Sequence, residues 1–325
     1  MTMNERRLGR TGLSVSEIGY GAWGIGGDMW LGAQDDESVQ ALHRAIDLGL
    51  NFIDTALAYG RGHSEKLVGQ VVRERDERIV VSSKIPPKNL AWPAPDGIDP
   101  DEAFPADHIR KCTERTLSNL GMDVLDIQQF HVWSDEWVGR GSWLEGIEAL
   151  KDEGKIRFFG ISINDHQPSN AIKLIETGAV DTVQVIYNVF DQSPEDGLLA
   201  ACERNDVGVI VRVPFDEGAL TGRIGPGAEF PEGDFRNDYF RGDRLEQVES
   251  HVRAILDDLG IEREDLPEIA LRYILSRPEV STVIPGMRTV RNVERNCAVG
   301  DGAGLPAEQV EALHAHRWDR NFYAA

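Results

Sequence analysis

Eight short runs rich in β-branched residues alternate along this chain with eight amphipathic stretches of helical period, and that alternation leaves few folds open. The runs are 17–21, 51–54, 79–84, 125–131, 156–162, 182–186, 207–213 and 282–285. The helical stretches are 35–48, 64–73, 105–120, 143–153, 169–176, 194–205, 266–276 and 290–297. Strands that alternate with helices pair in parallel, and eight such units close most economically into a (β/α)8 TIM barrel, since closure leaves no sheet edge. A length of 325 residues suits a single barrel domain spanning 1–325. Three pieces fall outside the repeat. Segments 6–9 and 13–16 read as a hairpin that plugs the N-terminal end of the barrel. Stretches 245–259 and 306–318 read as two extra helices. The long loop 86–107 carries Trp92 and Phe104 and is expected to form a substrate wall.

Four polar residues stand where successive runs end. Asp54 closes the second run and Tyr59 follows five residues later; Lys84 closes the third and His131 the fourth. Neighbouring parallel strands would bring all four to one rim, the C-terminal face where barrel enzymes place their chemistry. A phenol ionises near pH 10, too high for proton exchange at neutrality, and an adjacent ammonium favours its ionised form. A buried ammonium in turn needs a carboxylate to hold its charge, and an imidazole can polarise a carbonyl oxygen. Together the set forms a proton-transfer device.

Composition narrows the partners. A net charge of −21 argues against nucleic acid and against an anionic membrane surface. Three scattered cysteines, Cys112, Cys202 and Cys297, suit a reducing compartment and offer neither a disulfide framework nor a thiolate metal site. The segment MTMNERR has no apolar region behind it, so no secretory signal is read and a cytoplasmic location is expected. His314 and His316 lie two apart on a helix and face different ways, so no metal site is expected there or elsewhere. A metal-dependent barrel hydrolase is disfavoured for want of a His/Asp ligand cluster at the strand ends. The stretch Gly19-Tyr-Gly-Ala-Trp-Gly24 matches the dinucleotide glycine fingerprint literally, but a loop rather than a helix follows it, so a Rossmann reading fails.

From LGRTGLSVS at 8–16 through Ile284-Pro-Gly to Asn296, the chain resembles the aldo-keto reductases, barrel enzymes that use NADPH without a Rossmann fold. The resemblance implies that Tyr59 is the general acid in carbonyl reduction, tuned by Lys84 and Asp54, with His131 orienting the carbonyl. It also implies a cofactor path. Gly21 and Ala22 would offer backbone contacts beside the nicotinamide ribose, and Ser162, Gln184 and Asn164 would hold the carboxamide. The family's stacking aromatic on strand seven is replaced by Arg212, followed by Val213 and Pro214. A loop of Phe215, Gly218, Leu220 and Arg223 would cover the pyrophosphate, with Glu217 an ill-placed charge that should point away. Gly286, Arg288, Asn292 and Asn296 would hold the adenosine end, Arg288 meeting the 2′-phosphate. Trp23, Trp30, Trp92 and Trp133 would wall the substrate pocket, and Trp137 maps to the same rim. The expected substrate is a small aldehyde or ketone, with sugar-like carbonyls among the candidates. The alternative is a nucleotide-binding redox sensor with little turnover, like the family's channel-associated subunits. The oligomeric state is left open.

Overall fold

The fold is described from a computed structural model covering residues 3–320, so the first two and last five positions lie outside the described residues. A two-stranded antiparallel hairpin, β1 (Glu5–Arg7) and β2 (Ser14–Ser16), precedes eight parallel strands. These are β3 (Tyr20–Gly21), β4 (Phe52–Asp54), β5 (Val80–Ile85), β6 (Leu125–Phe130), β7 (Ile156–Ser162), β8 (Thr182–Ile186), β9 (Gly208–Arg212) and β10 (Val280–Val283). They pair strictly in chain order, each β-strand joined to the next by a helical crossover. The ring closes through the 17–21 segment. The Gly19 amide donates to the Val283 carbonyl at 2.8 Å, that of Val283 to Glu17 at 3.0 Å, and that of Gly21 to Pro285 at 3.1 Å. Closure requires the glycine, because a Cβ on residue 21 would lie 2.5 Å from the Ile284 carbonyl oxygen.

Side chains alternate across a strand with period two, so i and i+2 share a face. That rule stacks the barrel interior in layers. At the bottom, Phe52, Val80, Ile127 and Ile210 belong to an apolar cluster sealed by Leu8 and Val15 from the hairpin. Two residues further along the strands come Asp54, Ser82 and Gln129; one more step brings Lys84 to the top. The outward faces pack on the helices in a separate, larger core. The hairpin is fixed below by Arg6, whose guanidinium bonds Glu17 at 2.9 Å and the carbonyls of Leu275, Arg277 and Val280.

Two expected helices are shorter than read. The stretch 169–176 is helical only over Ile172–Thr177, because the Asn170 side chain instead ties loops together: it donates to the Trp133 carbonyl at 2.9 Å and accepts from the Asp135 amide at 2.8 Å. The stretch 194–205 splits into a 3₁₀ turn, Ser193–Asp196, and a helix, Leu198–Arg204, at Gly197. The first strand is regular only over its last two residues. The extra helices are Arg244–Leu259 and Ala307–His314, the second ending four residues short of the 306–318 stretch read from the sequence. No helix among the described residues is long and apolar enough to cross a membrane.

Candidate active site

The top of the barrel opens into a cavity of about 760 Å³. At its floor the Lys84 side chain is fully buried, and its ammonium donates to three acceptors: the Asp54 carboxylate Oδ2, the Thr55 carbonyl at 2.9 Å and the Tyr59 hydroxyl at 3.2 Å. Asp54 lies on β4 and Lys84 on the adjacent β5; β5 itself pairs with β6, whose end delivers His131. Tyr59 arrives on a 3₁₀ turn, Tyr59–Gly62, that packs tightly on the 24–27 loop. Gly60 has φ of 59°, and a Cβ there would sit 2.0 Å from the Gly26 carbonyl oxygen, so only glycine lets the turn approach. The Gly60 amide also donates to Asp28 Oδ2 at 3.1 Å.

Electrostatics follow from burial and neighbours. Burial alone would lower the affinity of Lys84 for its proton, but Asp54 and Tyr59 outweigh it and hold the ammonium above its ordinary pKa. Burial raises the Tyr59 phenol; Lys84 pulls it down, Asp54 pushes it up, and the net position stays above the usual value. Lys84 therefore pulls the phenol down as expected, but burial, which the sequence does not reveal, outweighs it. His131 is held well below its ordinary value by burial, with Lys84 and Arg212 adding to the effect, so its ring is neutral. Its Nδ1 is buried without a partner among the described residues. Its ring packs edge-on against Trp92 at 4.4 Å and Tyr59 at 5.6 Å.

From this floor the cavity runs as a channel between the strand ends and the loops above them. Gly21, Ser162, Asn164, Gln184 and Arg212 line its near part; Pro214, Phe215, Gly218, Arg223, Gly286, Arg288 and Asn292 line the rest. Gln184 has a second partner that the sequence did not suggest, donating to Asp54 Oδ1 at 2.9 Å. Arg212 donates to the Ile163 carbonyl at 2.8 Å and to Asp165 at 2.6 Å. Arg288 is partly buried and donates to the Leu31 carbonyl at 2.7 Å. Three expected contacts are off the wall. Ala22 is buried with its amide bonded to the Asp54 carbonyl and its carbonyl to the Ser64 hydroxyl. Leu220 is buried in the core, and Asn296 is buried on the final repeat helix, Val290–Cys297.

The aromatic wall also needs correction. Trp23, Trp30 and Trp92 line the cavity. Trp133 does not: it is fully buried, its indole nitrogen bonded to Asp135 at 2.9 Å, within a cluster that includes Trp137, Trp143 and Phe130. Phe104 belongs to that cluster too, stacked on Phe130 at 4.1 Å, so it anchors its loop while Trp92 and Pro93 face the cavity. In their place stand Met29, Phe235 and Arg236, which the sequence reading passed over. Phe235 packs edge-on against Trp23 at 5.5 Å, and Arg236 lies over Trp30 at 4.5 Å. Their loop clasps the 28–32 loop: the Phe235 amide donates to the Met29 carbonyl at 2.9 Å and the Leu31 amide to Asp234 at 3.1 Å. The only local signal was an aromatic beside an arginine in an otherwise polar loop. Glu217 does not point away; it lines the channel and is 9 % exposed.

Residues 17–317 match the model of the aldo/keto reductase family, nearly the whole chain. The chain belongs to that family. Aldo-keto reductase YhdN of Bacillus subtilis is 30 % identical over 303 residues, covering 90 % of this chain and 87 % of the relative. The NADH-specific methylglyoxal reductase of Escherichia coli is 27 % identical, covering 96 % of this chain and 99 % of the relative. Among solved structures, an aldo-keto reductase from Klebsiella pneumoniae in complex with NADPH superposes with a TM-score of 0.68 at 26 % identity, covering 99 % of this chain and 98 % of that one. The matched residues take in all eight parallel strands of the barrel.

Proposed function

We propose that this aldo-keto reductase reduces a small aldehyde or ketone with NADPH, Tyr59 giving the proton. The observation that carries the reading is the Lys84 ammonium bridging the Asp54 carboxylate and the Tyr59 hydroxyl at the floor of the cavity. The donor set of the channel fits a dinucleotide. Amide and hydroxyl groups of Ser162, Asn164 and Gln184 cluster near the floor, and Arg223, Arg236 and Arg288 supply cations further out. Arg288 would hold a 2′-phosphate bidentately, which favours NADPH over NADH.

A nicotinamide held by Ser162, Asn164 and Gln184 would supply the hydride for the carbonyl carbon. The protein does the rest. Neutral His131 offers a ring nitrogen to the carbonyl oxygen and orients it beside the Tyr59 hydroxyl. As negative charge develops on that oxygen, Tyr59 transfers its proton, and the nearby ammonium stabilises the phenolate left behind. Asp54 keeps Lys84 charged throughout, so the buried pair needs no change of protonation during the step. Trp23, Trp30, Trp92 and Phe235 give the carbonyl compound an aromatic approach. A redox-sensor role would not require so complete a proton path. Following NADPH oxidation with a panel of aldehydes and ketones tests the reading: turnover with some members is expected, and tight dinucleotide binding with none turned over would favour the sensor.

A further inference from the structure

Glu217 lines the channel with its residue 9 % exposed, and its carboxyl has no hydrogen bond or ion pair with any described residue. The backbone holds it there. Residues 216 and 217 have φ of 50° and 55°, a left-handed conformation that L-residues other than Asn and Asp seldom adopt, and Gly218 follows at 107°. The cations closest to it are engaged elsewhere: Arg212 pairs with Asp165 at 2.6 Å and Arg236 with Asp234 at 2.8 Å. Its own neighbour Asp216 is taken by the Tyr239 hydroxyl at 2.9 Å and by Arg320, away from the channel. A lone carboxylate so placed is unfavourable unless it is neutral or finds a donor.

We propose that Glu217 takes up a proton when the dinucleotide binds, so that it faces the cofactor as a neutral carboxylic acid able to donate a hydrogen bond to a phosphate or ribose oxygen. The inference rests on the dinucleotide reading above. Its physical basis is that a diphosphate bound in the channel would lie in the same cavity as this buried carboxyl, where like charges repel more strongly than in water. The charged groups that face Glu217 are Asp216 from its own loop, Asp165 from the loop after β7, Arg212 from the end of β9 and Arg236 from the clasp. Burial raises its pKa to about 8, with the two carboxylates adding and the two guanidiniums subtracting. An entering polyanion raises it further. The balance is simple: one carboxylate and one solvent proton become one carboxylic acid, with no other bond changed.

Sign and size follow from linkage. Below pH 7 the acid is already protonated and binding moves no proton. From about pH 8 upward affinity falls as pH rises, and each dinucleotide brings in close to one proton only above about pH 9. Calorimetry of NADPH binding in two buffers of different ionisation enthalpy reads this directly. About three-quarters of a proton should be taken up at pH 8.5 and about a tenth at pH 7. NADH should give the same uptake, because it carries the diphosphate without the 2′-phosphate. Between pH 7 and 9 the wild-type Kd should weaken about tenfold, while Glu217→Gln stays flat and takes up no proton. Uptake that persists in Glu217→Gln, uptake seen with NADPH but not NADH, or no uptake in the wild type at pH 8.5 would each overturn the inference while leaving the cofactor reading intact. If neither dinucleotide binds at any pH, the cofactor reading falls and the inference with it.

Discussion

The Nε2 of Gln184 donates to Oδ1 of Asp54 at 2.9 Å, from a strand four places round the barrel. Gln129 reaches the same oxygen at 3.2 Å, which leaves Oδ2 to the Lys84 ammonium. The carboxylate is thus held on both oxygens, and the ammonium that serves Tyr59 is held through it. An amide at this strand end reads most naturally as a nicotinamide contact, yet here it also fixes the carboxylate that holds the Lys84 ammonium. Gln184→Leu should lower kcat roughly tenfold, in line with loss of a hydrogen bond to a charged group of about 1.5–3 kcal/mol. Steady-state kinetics with saturating cofactor checks this. An unchanged kcat with weaker dinucleotide binding would confine Gln184 to the cofactor.

Removing the ammonium has a defined direction. Lys84 is what lowers the Tyr59 phenol against the upward push of burial, so Lys84→Met moves the phenol's ionisation to higher pH and leaves Asp54 without its ion-pair partner. Carbonyl reduction needs the protonated phenol and is lost as pH rises through its pKa; alcohol oxidation needs the phenolate and grows through the same range. In the variant, the rise of alcohol oxidation should shift upward in pH, and neutral-range turnover in both directions should fall roughly 10²-fold or more. A pH profile for alcohol oxidation that matches the wild type would contradict the coupling between Lys84 and Tyr59.

Arg288 lines the far part of the channel with one guanidinium nitrogen given to the Leu31 carbonyl and the remaining donors available to a ligand. NADPH should bind more tightly than NADH, and Arg288→Ala should cut that preference by roughly ten- to a hundredfold, the scale of a charge-assisted contact. Fluorescence titration with both cofactors measures it. Equal affinities in the unaltered protein would remove Arg288 from the 2′-phosphate.

What the sequence made legible was whatever period-two alternation decides. Asp54, Lys84 and His131 could be placed on one rim because strand ends and inward faces follow from local pattern. Side chains on loops carry no such rule. Trp92 and Phe104 sit in the same loop, yet one faces the channel and the other stacks on Phe130, a choice made by the packing behind β6. Trp133 turned inward for the same reason. The clasp between Met29 and Phe235 joins segments some two hundred residues apart, beyond the reach of any local reading. Glu217 could not be oriented without knowing that its backbone is left-handed.

The most direct test of the account is Tyr59→Phe. The ring still fills the turn beside Trp23 and His131, so folding and dinucleotide affinity should stay close to wild type. The hydroxyl that Lys84 contacts at 3.2 Å is gone, and with it the proton donor. NADPH oxidation with whichever carbonyl compound the wild type reduces best should fall roughly 10²–10⁴-fold, with NADPH fluorescence titrating as before. Near-normal turnover by Tyr59→Phe, with the cofactor bound as in the wild type, would contradict the assignment of the proton to Tyr59.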